Sequence, residues 1–328
     1  VLPARELVPM VQGWEAAGIE GVWAPQIFGA PFTTLAAAAA VTKRIKLGTG
    51  IALAFTRSPL ETACSAIDLD HISEGRAVLG LGSSAQSQIE GSFGMTYGKP
   101  LAHMREVVEQ VRAVIANGHS GELERLEGEY ATLDLAHFRL VCPAFRPAIP
   151  IYLPAVFEKA CEQAGAIADG LLGHPLWTTA WLRDKVDKHV KLGLDRAGRT
   201  RADLTINLMI FAVINPDRAE AIADARANIA FYTQSPQYMR YFAEIGFGRE
   251  AQAIQAAFAA QDFAAMTHEC PDDMVRAITV LGSADEVRAQ IAERAESADA
   301  ITPVVPQFGI APDKAAVYRQ RIAEVFYG

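Results

Sequence analysis

Short apolar runs alternate with longer stretches of helical periodicity along most of this chain. Residues 4–17 place Leu7, Met10, Val11 and Trp14 at helical spacing, and Gly18 follows as a left-handed cap. Gly21–Ala24 reads as a strand, Thr33–Thr42 as a small-residue helix, and Ile45–Ala54 as one longer strand. Pro59 opens a helix that runs to about Ser73, since proline is tolerated in a first helical turn. The strand Ala77–Leu81, a Gly/Ser-rich loop over Gly82–Gly98 and the amphipathic helix Leu101–Asn117 come next. Residues 118–150 break the rhythm, and Leu126–Tyr130 reads as a hairpin inside an insertion. Strand and helix then alternate as Ile151–Leu153, Phe157–Ala168, Gly170–Gly173 and Thr178–Ala197, before the strand Ile206–Ile214. Residues 217–297 read as almost wholly helical, with a capping box at Ser283 and Glu286. Ala300–Val305 is the last strand, and Val1–Leu2 the tail of a first one, for which either upstream residues or an incomplete barrel at that position is expected.

Each strand candidate is followed by helix, and most are apolar at successive positions. That is the signature of parallel strands buried on both faces. Eight such units predict an α/β fold, a (β/α)8 TIM barrel; a doubly wound open sheet is the alternative. No Pro/Ser-rich linker divides the chain. The expectation is one domain over residues 1–328, with insertions at about 119–149 and 217–280.

Composition narrows the partners. The 328 residues are 51% hydrophobic and 21% charged, and their net charge of −8 disfavours nucleic acid and anionic membranes. Cys64, Cys142, Cys161 and Cys270 show no CxxC spacing, so neither a disulfide framework nor structural zinc is expected. A cytoplasmic setting fits, and no apolar run is long enough to span a bilayer.

Three local patterns invite misreading. Gly80-Leu81-Gly82-Ser83-Ser84-Ala85 fits a relaxed dinucleotide fingerprint, but Gly91, Gly94, Gly98 and Pro100 delay the helix that must follow it. Asp68, Asp70 and His71 are polar positions of an amphipathic helix rather than a ligand set. No GxSxG elbow occurs.

In a (β/α)8 barrel the chemistry sits at the carboxyl ends of the strands. Those positions hold Gln26, Arg57, Ser83, Ser84, Ala155, Val156, His174 and Trp177, with few carboxylates or lysines among them. Such a rim suits a planar aromatic cofactor that carries the chemistry itself. Arg57 suits an anionic tail, and His174 suits proton transfer because histidine titrates near neutrality. Gln26 suits only orientation, since an amide does not titrate.

The order of several motifs resembles the bacterial luciferase-like flavin and deazaflavin oxidoreductase family. They are Ile45–Ile51, Arg57-Ser58-Pro59, Leu69-Asp70-His71-Ile72-Ser73-Glu74-Gly75-Arg76 and Leu79-Gly80-Leu81-Gly82. Gly128-Glu129-Tyr130, Pro150-Ile151-Tyr152 and Ala168-Asp169-Gly170 extend the match, and Ile229–Tyr232 with Ser235–Tyr238 resembles a deazaflavin subgroup. The resemblance implies a dimeric barrel binding coenzyme F420 or FMN at the strand ends. It implies a cis peptide at Gly50-Ile51 supporting the cofactor ring, and hydrogen bonds to the cofactor from Gly82, Ser83 and Ser84. Gln26-Ile27 stands where deazaflavin members often carry Asp-His, and Ala85 replaces an acidic residue found in some members. Ala155-Val156 stands where many members carry Gly-Gly near the phosphate.

The expected function is hydride transfer between F420 and a small organic substrate. The first alternative is an FMN-dependent monooxygenase supplied by a partner flavin reductase. The second is a non-catalytic flavin-binding barrel. A homodimer is expected, packed through the alanine-rich helix, with no metal, nucleic acid or membrane involved.

Overall fold

The structure, a computed structural model, describes residues 3–327, so the expected strand at Val1–Leu2 lies outside the described residues. The chain forms two compact units. The first holds residues up to 154 together with 163–172 and 195–199; the second holds 155–162, 173–194 and 200 onwards.

In the first unit, Gly21–Ala24 (β1) lies parallel to Lys46–Thr49 (β2), with Trp23 opposite Gly48. The expected strand 45–54 is corrected: it breaks after Thr49, at a cis Gly50-Ile51 peptide, and resumes as Ala52–Leu53 (β3). The break has local partners, because Gly50 N–H donates to the Ala24 carbonyl and Gln26 N–H donates to the Ile51 carbonyl. Ala77–Gly82 (β4) is buried at every position and takes β2, β3 and Ile151–Ala155 (β7) as parallel neighbours. Between β4 and β7, Arg125–Leu126 (β5) pairs antiparallel with Leu133–Asp134 (β6), the hairpin expected inside the insertion.

The motifs that carried the resemblance have structural work in this unit. Asp70 is fully buried and takes both arms of Arg146, Nη2 at 2.6 Å and Nε at 3.0 Å, which answers the metal-cluster pattern. Arg76 donates to the carbonyls of Ser73, Ala39, Thr42 and Ile45 and to the Thr42 hydroxyl, closing the end of helix Phe32–Ala39. Gly75 has φ +83° and lies against the Phe145 ring, so a side chain there meets both strain and a clash. Asp169 accepts from Ile151 N–H and pairs with Arg112, both at 2.8 Å. Glu106 accepts from the backbone N–H groups of Glu129, Tyr130 and Ala131. The helix containing it, Pro100–Asn117, starts well after β4, as the dinucleotide reading did not allow.

The strand Gly170–Gly173 (β8) is fully buried and ends at the first residue of a second-unit segment. In the second unit, Thr205–Ile214 (β9) lies parallel to Val280–Gly282 (β10) and Ala300–Val304 (β11). β10 corrects the expectation of an almost wholly helical 217–297. Three residues are too few to show a period, and pairing with Ala212–Ile214 decides their state. The Ser283/Glu286 capping box follows immediately and starts helix Ala284–Ala295, as expected. Among the described residues no helix is long and apolar enough to cross a membrane.

Candidate active site

The expected site residues fall in both units: Gln26, Gly50, Ile51, Arg57, Gly82, Ser83 and Ser84 in the first, and Ala155, Val156 and His174 in the second.

Within the first unit, Gln26 and Arg57 meet. Gln26 is buried just beyond β1, and its amide oxygen accepts from Leu53 N–H at 2.9 Å and from Arg57 Nη2 at 3.0 Å. Its amide nitrogen lies 3.4 Å from the Phe28 carbonyl. Gln26 therefore positions Arg57 and the chain around β3. The Arg57 side chain is only 10% exposed, its Nε lies 3.0 Å from the half-exposed Glu61 carboxylate, and its guanidinium sits over the Phe32 ring. Nη1 is buried without a hydrogen-bond partner among the described residues. A buried donor without an acceptor costs about 1–3 kcal/mol, more for a charged group. Desolvation accordingly pushes the guanidinium pKa down against the pull of Glu61.

Gly82 lies so close to Ile51 that any Cβ at this position would overlap the isoleucine side chain. Ser84 has φ +58°, and its hydroxyl donates to the Gln88 side-chain oxygen at 2.5 Å. Gln88 donates onward to the Ile27 carbonyl at 2.8 Å, and Tyr97 donates its hydroxyl to the Ser84 carbonyl. Gln88 thus ties the loop after β4 to the loop after β1. The sequence reading missed it, because nothing in its surroundings separates it from a solvated glutamine. The Ser83 hydroxyl makes only a long 3.4 Å contact with the Ser84 carbonyl, which leaves it available to a ligand.

Within the second unit, Ala155 is buried at the end of β7, and the Val156 carbonyl accepts from the Trp181 indole at 3.2 Å. Trp181 packs edge-on against Tyr241, which donates to the Leu176 carbonyl and accepts from Thr178 N–H. Those contacts hold the loop that carries His174. His174 Nδ1 accepts from Leu176 N–H at 3.3 Å, which places the ring proton on Nε2, 3.1 Å from the Tyr238 hydroxyl. Tyr232 and Tyr238 flank the imidazole. Burial lowers its pKa to about 4, so the ring is neutral near pH 7. The Tyr238 phenol is pushed up to about 12 by burial, against a hydrogen bond with the Gln237 side chain that lowers it, with Tyr232 adding to the rise. The stretch 229–238, which resembles a subgroup pattern in sequence, supplies two rings around His174.

The profile of the luciferase-like monooxygenase family matches residues 2–300. The chain belongs to that family. Its relatives include an uncharacterized protein of Mycobacterium tuberculosis, 32% identical over 300 residues, which cover 88% of this chain and 87% of that one. The 5,10-methylenetetrahydromethanopterin reductase of Methanolobus tindarius is 30% identical over 92% of this chain and 89% of its own length. Among solved structures, the coenzyme F420 dependent tetrahydromethanopterin reductase of Methanopyrus kandleri superposes with a TM-score of 0.82 at 24% identity, covering 99% and 95% of the two chains. The fold is therefore the α/β, luciferase-like TIM-barrel type, and the protein is an oxidoreductase of that family.

Proposed function

We propose that this luciferase-like oxidoreductase transfers hydride between coenzyme F420 and a small organic substrate. The observation that carries the proposal is Arg57: a nearly buried guanidinium, anchored on two sides, with one nitrogen left for an oxygen acceptor. The name of the Methanopyrus structure, a coenzyme F420 dependent reductase, supports the choice of cofactor.

The residues present fit such a group. Arg57 would hold an anionic oxygen, Ser83 and the backbone beside Gly82 would donate hydrogen bonds, and the loop at Gly50-Ile51 would back the ring. In the second unit, Val156 is half-buried and apolar and, like the buried Ala155, carries no charge for a phosphate. When bound, a deazaflavin supplies a hydride and activates oxygen poorly, which favours a reductase or dehydrogenase. His174 holds its proton at Nε2 and does not release it as an imidazolium at neutral pH. Gln26 fixes the direction in which Arg57 points.

Parallel titrations of F420 and FMN, oxidised and reduced, followed by ligand fluorescence, test this reading. Tight F420 binding with weak FMN binding is the expected result. The reverse order moves the protein to FMN-dependent monooxygenation, and binding of neither removes the cofactor assignment.

A further inference from the structure

We propose that Arg57 and Glu61 together form a charge filter that accepts a singly charged phosphodiester and disfavours a doubly charged phosphomonoester. The proposal rests on the F420 reading above and deepens it, because the F420 tail is joined through a phosphodiester whereas FMN ends in a monoester.

The groups involved all lie in the first unit. Glu61 stands in the first turn of the helix Pro59–Ile72, where its N–H donates to the Ser58 hydroxyl at 3.0 Å. Its carboxylate is held at both oxygens. Oε2 lies 3.0 Å from Arg57 Nε, and Oε1 accepts from the Ser65 hydroxyl at 3.3 Å. Nε and Nη2 of Arg57 are thus taken by Glu61 and Gln26, and Nη1 is the nitrogen left without a partner among the described residues. One nitrogen offers contact to a single oxygen, not the two-nitrogen fork with which arginine often grips a phosphate.

The charge balance follows from the same contacts. Gln26 brings no charge, and Glu61 brings one of the sign opposite to Arg57, so an incoming oxyanion meets a pair of no net charge. A second negative charge on the ligand gains little there, because attraction by Arg57 and repulsion by Glu61 grow together. The cost of stripping water from an ion grows with the square of its charge, so it is about fourfold larger for a dianion. The Nη1 hydrogen bond is open to either ion, and the ion that gives up less hydration keeps more of its benefit. A phosphomonoester loses its second proton at about pH 6 and is mostly doubly charged above pH 7, whereas a diester has no second proton to lose. Glu61 is half-exposed, so water screens its charge and the filter has modest strength.

The test uses three ligands that share one ring: the tail-less deazaflavin, its 5′-phosphate and the methyl ester of that phosphate. They differ only in the group offered to Arg57, and ligand fluorescence reads all three. Wild type at pH 8 should bind the methyl ester about fivefold or more tighter than the phosphate. Glu61→Gln keeps the shape of the side chain and removes its charge. In that variant the preference should shrink about threefold, the order expected of one screened charge, while affinity for the tail-less ligand stays within about twofold. Glu61→Asp, which keeps the charge, should retain the preference. Wild type that binds the phosphate as tightly as its methyl ester overturns the filter. So does a Glu61→Gln variant with the wild-type preference, or one that weakens all three ligands by the same factor, as a purely structural role for Glu61 requires. Wild type that binds neither the tail-less ligand nor F420 overturns the parent reading instead.

Discussion

Arg57 donates from Nη2 to the Gln26 amide oxygen at 3.0 Å while its Nη1 stays buried without a partner among the described residues. One side of the guanidinium is thereby fixed and the other is left to a ligand. Replacing Arg57 by Met keeps the stem and removes the donors. Loss of a charge-assisted hydrogen bond of about 1.5–3 kcal/mol should weaken F420 binding roughly 10- to 100-fold. The same variant should bind a tail-less deazaflavin, which lacks the phosphate and carboxylates, much as wild type does. Equal losses for both ligands would place Arg57 at the ring rather than at the anionic tail.

Gln26 offers a separate test of positioning. Gln26→Leu leaves Leu53 N–H and Arg57 Nη2 without their shared acceptor in a buried place. A loss of about 1–3 kcal/mol in unfolding free energy is expected, read from urea midpoints. F420 affinity should fall as well, and addition of a catalytic base should not restore it.

Much of the fold was legible because its elements are periodic and its turns carry chemical signs. Gly21–Ala24 and Gly170–Gly173 form at the expected residues, and the helix opens at Pro59 as its proline predicts, with Ser58 as the cap the structure adds. The break at Gly50-Ile51 entered only through the family resemblance, since apolar alternation runs straight across it. The site was less legible. Arg57 has the sequence surroundings of a solvated arginine, and only packing against Phe32 and Gln26 buries it. The His174–Tyr238 pair joins residues too far apart for any spacing rule to connect. The conspicuous Asp70–Arg76 motif, by contrast, is spent on holding the scaffold together.

That last point makes a prediction about Asp70. Arg146 forks onto a carboxylate with no exposed surface, and Ala77 N–H donates to the same group. Asp70→Asn should destabilise the protein by about 3 kcal/mol, because removing one partner leaves the other cation uncompensated. F420 affinity of the folded fraction should not change. A variant with wild-type stability and weakened F420 binding would move this motif from scaffold to site.

His174 makes acid stability informative. Its folded pKa is about 4, whereas a free histidine titrates near 6.5. Above pH 6.5 both states are neutral and the group has no effect. Between pH 6.5 and 4 the unfolded chain takes up a proton that the folded protein refuses, so stability falls as pH falls. The loss approaches about 1.4 kcal/mol per unit and levels off below pH 4. His174→Gln should flatten the urea midpoint across that window and leave it unchanged at pH 8 apart from a constant offset. Parallel slopes in both proteins would mean that the imidazole protonates freely in the folded state.

The insertion depends on one carboxylate. Glu106 accepts from Glu129 N–H at 2.6 Å, from Tyr130 N–H at 3.0 Å and from Ala131 N–H at 2.7 Å, and Gly128 packs directly against it. Tyr130, held in this way, stacks on His103, whose other face stacks on Phe55. The carboxylate thus ties the hairpin loop to a three-ring stack that reaches the turn after β3. Glu106→Gln replaces an acceptor oxygen by an NH2 group facing backbone N–H donors, so at least one of those bonds must open. A local loss of about 1–2 kcal/mol corresponds to roughly 5- to 30-fold faster amide exchange at Tyr130 and Ala131. Exchange in β4 should be unaffected, since the opening does not need the sheet to part. Faster exchange in β4 as well would mean that the hairpin and the sheet open as one cooperative unit.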